Sequence, residues 1–178
     1  MKRGFKIVTA KKDQGLTLPQ RQTAQAAGYD FAASEDFTLP SIWKGNFLKA
    51  LWTLHQQKQL GDADFQAADK CLKPYLVPTG IKAYMGKDEF LLLANRSSGP
   101  LKRRLILPNG IGIVDADYYD NESNEGEIFF QLSTFGLKAY PNKQGERIGQ
   151  GIFLSYLLAD EETAPQAQRT GGFGSTKK

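Results

Sequence analysis

The chain has 178 residues, 40% hydrophobic and 24% charged, enough for one globular domain with its own core, and no stretch is apolar for the length of a membrane span. It carries one histidine, His55, and one cysteine, Cys71, which excludes multi-histidine and cysteine-rich metal sites and an internal disulfide, and points to a reducing, cytoplasmic setting. A net charge of +4 is too small to argue for nucleic-acid binding, and the opening residues MKRGFKIV lack the apolar run of a signal peptide.

In chain order, residues 5–9 suit a strand. Residues 27–31 (AGYDF) set a glycine and a carboxylate between apolar positions, as if Asp30 were fixed at a strand end. Residues 41–72 break the β pattern. Trp43, Phe47, Leu51 and Leu54 recur at helical spacing, with Leu48 and Trp52 on a neighbouring stripe. Gly61 can end that helix, and Asp62 can cap a second one carrying Phe65, Ala68 and Leu72. Both tryptophans, His55 and Cys71 fall inside this helical hairpin, so chemistry elsewhere in the chain does not use them. Further strands are expected at 76–77, 80–84, 89–94, 103–107, 111–114, 127–132 and 151–156. Pro78, Gly86, Gly99-Pro100, Pro108-Asn109-Gly110 and Pro141-Asn142 punctuate them. Many short strands between frequent turns predict a mainly β sandwich, jelly roll or barrel. After residue 160 the composition turns to Glu, Gln and Ala and then Gly, which predicts a mobile tail.

The residues that could carry chemistry fall into five segments. The last ten residues, RTGGFGSTKK, suit a tail that folds over an anionic, planar ligand. Gly171, Gly172 and Gly174 let backbone N–H groups approach phosphate. Arg169 offers a planar cationic fork, and Phe173 a face for a base; the competing expectation is an ordinary disordered terminus. Residues 95–99 (NRSSG) place a cation and two hydroxyls before a glycine, which suits an oxyanion pocket, a helix N-cap, or both. Residues 109–118 (NGIGIVDADY) read as a glycine-marked hairpin able to offer backbone groups to a base edge. Asp115 follows two apolar residues there, so it is expected to be partly desolvated and poised as a base. In residues 146–150 (ERIGQ), Arg147 and Gln150 offer donors near a strand start. The stretch 115–127 holds six carboxylates and no cation, against cations at Arg96, Lys102, Arg103, Arg104 and the tail. With a single histidine, a carboxylate base and a hard cation held by oxygen are the expected chemistry.

In this order the five segments resemble the motifs of the trimeric deoxyuridine triphosphate nucleotidohydrolases, the dUTPases. Those motifs read approximately AGxDL, RSS or RSG, NxxGxIDxDY, RxAQ and RxGGFGSTG. The resemblance spans almost the whole chain except residues 41–72, and its third and fifth motifs are specific. It implies a jelly-roll-like β-barrel at residues 1–160 with the helical hairpin inserted at about 41–72 and a flexible lid at 161–178. It implies Mg²⁺-dependent hydrolysis of dUTP to dUMP and pyrophosphate in a homotrimer whose sites take motifs from three subunits, limiting uracil in DNA and supplying dUMP for thymidylate synthesis. Asp115 then activates the water that attacks the α-phosphorus. Asn109 and the backbone around Gly112, Ile113 and Val114 read uracil, and Tyr118 packs on the deoxyribose and disfavours a 2′-hydroxyl. Arg96, Ser97, Ser98 and Gln150 contact phosphates. Asp30 helps position a Mg²⁺-bound water, and Arg147 has a mainly structural ion-pair role. In the tail, Arg169 binds the γ-phosphate, Phe173 stacks over uracil, and Gly174, Ser175 and Thr176 contact phosphates.

The sequence departs from the family pattern at several points. Phe31 stands for the usual Leu, Gly149 for Ala, and Lys177 for the last glycine of the fifth motif. After Tyr118 comes YDNESNE (119–125), where most members go almost directly to glycine, giving a longer hairpin tip near the sugar. Two other readings keep the fold: a dCTP deaminase, which also carries an Arg-Ser-Ser segment, and a regulatory protein docking a repressor through residues 41–72. Against the docking surface stands a hairpin whose tryptophans simply pack on the β body.

Overall fold

The structure is a computed structural model that describes residues 2–43, 47–56, 61–163 and 172. Alternating apolar and polar residues build short strands, and prolines and glycines cut them off. Among the described residues these are β1 Gly4–Ile7, β2 Tyr29–Ala32, β3 Phe37–Leu39, β4 Tyr75–Pro78, β5 Ile81–Tyr84, β6 Glu89–Ala94, β7 Leu105–Ile106, β8 Gly112–Asp115, β9 Phe129–Thr134, β10 Tyr140–Asn142 and β11 Arg147–Ser155. Helices α1 Phe47–His55 and α2 Asp62–Leu72 lie between β3 and β4. The protein is mainly β with a helical insertion, as expected. Its strands pair in four groups, β1-β5, β10-β3, β2-β11-β6-β8 and β4-β9-β7, all antiparallel. These wrap one core without closing a continuous barrel among the described residues.

The alternation along β6 and β9 sends Leu91, Leu93, Phe130 and Leu132 inward, where they meet Phe31, Leu39, Ile81 and Leu105. Phe31 and Phe130 are fully buried, each worth about 1.5–3 kcal/mol in apolar transfer. The Phe31 ring packs edge-on to Phe5, with centroids 5.3 Å apart, and against Phe130 at 5.6 Å. One departure from the family pattern, Gly149, has its reason here. A Cβ on Gly149 would overlap the Phe130 ring, so the large ring occupies the space an alanine methyl would need.

Two strands, β3 and β10, were not foreseen, and β2 was expected only as a strand end at Asp30. β2, β3 and β10 are three or four residues long and rest on pairing with distant segments: β2 with β11, and β3 with β10. Asp30 lies within β2 rather than at its end. The expected strand at 103–107 shrinks to Leu105–Ile106, because Gly99–Arg103 winds as a helical turn with Pro100 in its first positions. That turn closes at Arg104, at φ 60, whose N–H bonds to the Gly99 carbonyl.

The helical hairpin is as expected, with one correction: Gly61, not Asp62, is the N-cap of α2. The Gly61 N–H donates to the Asp64 carboxylate at 3.0 Å, and Asp62, Asp64 and Lys70 sit at the ends that suit the helix dipole. The two tryptophans part ways. The Trp43 indole N–H donates to the Phe135 carbonyl at 2.8 Å, tying it to the β body. Trp52 on α1 is 63% exposed in the single chain, beside exposed Leu48 and Leu51.

Candidate active site

Sheet register assembles the first half of the site. Asp30 of β2 lies opposite Gln150 of β11, and Gln150 lies opposite Ala94 of β6, so three motifs distant in sequence line up across one sheet. Arg96 follows β6 and turns its guanidinium back, donating from Nε to one Asp30 oxygen at 3.0 Å. Arg147 opens β11 beside a register shift against β2 and donates to the other oxygen at 3.1 Å. Two cations thus meet one anion, and the cluster keeps a positive balance. Gln150 donates to the Asn95 carbonyl at 2.8 Å, which pins the chain just before Arg96. Ser98 takes the N-cap position of the turn Gly99–Arg103, but its side chain makes no capping hydrogen bond. The capping expectation thus holds for its position and not for its hydroxyl.

The second half lies at the other side of the same sheet. β8 is an edge strand, paired only with β6 among the described residues, so one side of its backbone has no strand partner. Gly112, Ile113 and Val114 line a cavity of about 200 Å³ there, with Asn109, Tyr118 and Phe130. Tyr118 stands on the short turn Ala116–Tyr118, is 7% exposed, and is held at its hydroxyl. The hydroxyl donates to the Glu127 carbonyl at 2.9 Å and accepts from the Asn124 amide at 2.7 Å. Gly172 seats against this ring: a Cβ there would lie 2.8 Å from Tyr118 Cε2, so any larger residue at this position would have to displace the ring. The remaining tail candidates, Arg169, Phe173, Gly174, Ser175 and Thr176, and also Lys177, lie outside the described residues.

Asp115 ends β8 opposite Phe90 and is half-buried. It adjoins the cavity through Val114 and borders a second depression with Lys87 and Tyr156. Asp30 is three strands across the sheet, in the row of Ala94, four residues along β6 from Phe90. At ordinary strand spacings the two carboxylates are on the order of 20 Å apart. One chain therefore brings 30, 96, 147 and 150 together, and 109, 112–114, 118 and 172 together, but sets Asp115 far from Asp30.

Behind Tyr118 the longer tip is tied down. The Lys82 ammonium, 8% exposed on its side chain, pairs with both Asp120 and Glu125. Burial works against its charge, yet the two carboxylates hold its pKa above the ordinary lysine value. Glu125 also accepts the Thr9 N–H at 2.8 Å and its hydroxyl at 2.9 Å. The Lys82 hydrogen bond first, and the Thr9 N–H next, pull the Glu125 carboxyl down from 4.5 to about 2. Sequence reasoning missed Phe130 as a cavity wall and Asn124 as the partner of Tyr118. The strand alternation around 127–132 could have flagged the first, whereas the second depends on how the tip folds.

Among the described residues, no helix is long and apolar enough to cross a membrane, and no group of three or more His, Cys, Asp and Glu side chains is placed to hold a metal ion. No family model matches the chain. The deoxyuridine 5′-triphosphate nucleotidohydrolase of Lactococcus lactis subsp. lactis is 38% identical over 176 residues, covering 98% of this chain and 97% of that protein. The protein of that name from Desulfitobacterium hafniense is 31% identical over 178 residues, covering 96% and 94%. The crystal structure of dUTPase from Streptococcus mutans superposes with a TM-score of 0.68 at 36% identity, covering 88% of this chain and 98% of that one. With relatives of 30% identity or more matched over nearly the whole chain, the chain belongs to the dUTPase family.

Proposed function

We propose that this protein hydrolyses dUTP to dUMP and pyrophosphate, in the cytoplasm, at sites shared between the subunits of a homotrimer. The observation that carries the reading is the cavity at the free edge of β8, walled by Tyr118 and met by Gly172 of the tail. Uracil pairs with backbone along Gly112–Val114 and with Asn109, and Phe173 covers it. A cytosine presents the opposite donor pattern and leaves those groups unpaired. Deoxyribose packs on Tyr118.

Asp115 takes a proton from a water in line with the α-phosphorus. The water oxygen bonds to phosphorus, the bond to the bridging oxygen breaks, and pyrophosphate leaves with the electron pair. Arg96, Ser97, Ser98 and Gln150, with Arg169, Gly174, Ser175 and Thr176 of the tail, stabilise the charge that gathers on the leaving group. Because Asp115 and Arg96 lie so far apart in one chain, these contacts come from a neighbouring subunit, and the lid from a third.

The donor set fits Mg²⁺ held mainly by substrate oxygens. Each Asp30 oxygen accepts one guanidinium bond and keeps a lone pair for a metal-bound water. Bound Mg²⁺ neutralises the triphosphate and fixes its conformation. A second role, docking of a protein partner on residues 41–72, draws on exposed Leu48, Leu51 and Trp52.

Pyrophosphate release across dUTP, dCTP, dTTP and UTP, with and without Mg²⁺, tests the reading. Turnover of dUTP alone, dependent on the ion, is expected; ammonia from dCTP would overturn it in favour of a deaminase. Asp115→Asn should bind dUTP nearly as before and lose about 10²–10⁴-fold in kcat, and near-normal turnover would reject the assignment of the base.

A further inference from the structure

The tip that departs from the family pattern is built onto Tyr118. The Asn121 side chain, 7% exposed, donates to the Tyr118 carbonyl at 2.8 Å and to the Asn124 side-chain oxygen at 2.8 Å. The Asn124 amide in turn donates to the Tyr118 hydroxyl at 2.7 Å. Backbone N–H groups of Ser123 and Asn124 bond to the Asn121 side-chain oxygen at 3.0 and 3.2 Å, and that of Gly126 to the Asn124 oxygen at 3.2 Å. The far side of the tip is anchored through Asp120 and Glu125 to Lys82. Two asparagines therefore hold both ends of one tyrosine, its backbone carbonyl and its phenol, and are themselves bonded to each other, while the Asn121 carbonyl accepts the Glu125 N–H at 3.0 Å.

We infer that Asn124 is a positioning residue that sets the preference for deoxyribose over ribose, by locking the Tyr118 ring against the cavity. The inference rests on the reading of Tyr118 as the wall that meets the sugar. A phenol whose hydroxyl both donates and accepts is fixed in its tilt. A 2′-hydroxyl must then either clash with the ring face or push it off two hydrogen bonds. Without Asn124 the phenol loses one of the hydrogen bonds that fix it, and the ring can yield to the extra oxygen. The longer tip thus performs locally what a short turn to glycine cannot: it reaches over and grips the hydroxyl from outside the pocket.

The test is the ratio of kcat/KM for dUTP to that for UTP, which a merely structural defect would not move because both substrates would fall together. Asn124→Ala should lower the ratio about three- to tenfold, the weight of one hydrogen bond, chiefly by raising UTP turnover. Tyr118→Phe, which keeps the ring and removes only the hydroxyl, should do the same, and the double variant should do no more than either. Tyr118→Phe decides the question by itself if Asn124→Ala does not fold. An unchanged ratio in both, with a collapsed ratio in Tyr118→Ala, overturns the role of Asn124 and leaves the sugar wall standing. An unchanged ratio in Tyr118→Ala overturns the sugar wall and the inference with it. An equal loss for both substrates in Asn124→Ala overturns the inference as well.

Discussion

Glu125 holds its charge against Lys82 and the Thr9 backbone, and this has a direct consequence for acid stability. Its carboxyl titrates near 4.5 when unfolded and at about 2 when folded. The group therefore stabilises the fold fully above pH 4.5, and that contribution disappears as the pH falls toward 2. Glu89, held down by Arg3, and Asp36, held down by Lys143, act in the same direction, so the whole acid limb is not due to Glu125. The difference between wild type and Glu125→Gln isolates it: melting temperatures should differ most at neutral pH and converge as the pH falls to about 2. A second residue-scale prediction concerns Gly149. Restoring the family's alanine drives a methyl into Phe130 and should cost about 1–3 kcal/mol. Phe130→Leu in the same chain should recover much of it; equal melting temperatures for Gly149→Ala and wild type would show that the ring moves freely. Neither effect was legible in the sequence. Gly149 stood out only as a departure, and its reason lies on β9, nineteen positions away in the chain.

At the scale of elements, both ends of the helical insertion dock on the same edge of β9. Ser41 bridges to Thr134, and Tyr75 pairs with Leu132, two residues or about 7 Å apart. A short loop can therefore join residues 41 and 75 without moving the β body. Replacing 42–74 with such a loop should leave the core strands and dUTP turnover within about threefold of wild type, since α1 and α2 pack mainly on each other and their outer face is exposed. Loss of trimer in light scattering would instead give the insertion an assembly role. The hairpin itself was readable from spacing, because 3.6-residue periodicity is a local signal. β3 and β10 were not, because they are three residues long, too short to show a period, and exist through pairing with each other across the chain. The strand expected at 103–107 was started too early for a related reason: Pro100 and the left-handed Arg104 outweighed the apolar pattern around them.

At the scale of the whole molecule, one chain holds two separate clusters of the proposed site residues. If a homotrimer shares them as proposed, two inactive variants should complement each other. Asp115→Asn and Arg96→Ala, each nearly inactive, should regain activity at about a quarter of the sites when unfolded together and refolded in equal amounts; continued inactivity would mean that each chain works alone. Cutting the chain at Thr170 should abolish most turnover while the trimer persists on a sizing column. The sequence by itself determined the family, the order of the five motifs, the residue types of the site and the presence of a helical insertion. The motif order and the insertion rest on local composition and spacing, whereas the family and the proposed site residues rest on the resemblance of those motifs to known ones. The tertiary structure decided that Asp30 is shared by two arginines, that Asp115 stands across the sheet from them, and that the longer tip grips Tyr118. Those facts depend on antiparallel register and on side chains meeting across many residues. A linear pattern of glycines, cations and carboxylates does not encode which strand edge is left free or which asparagine reaches which hydroxyl.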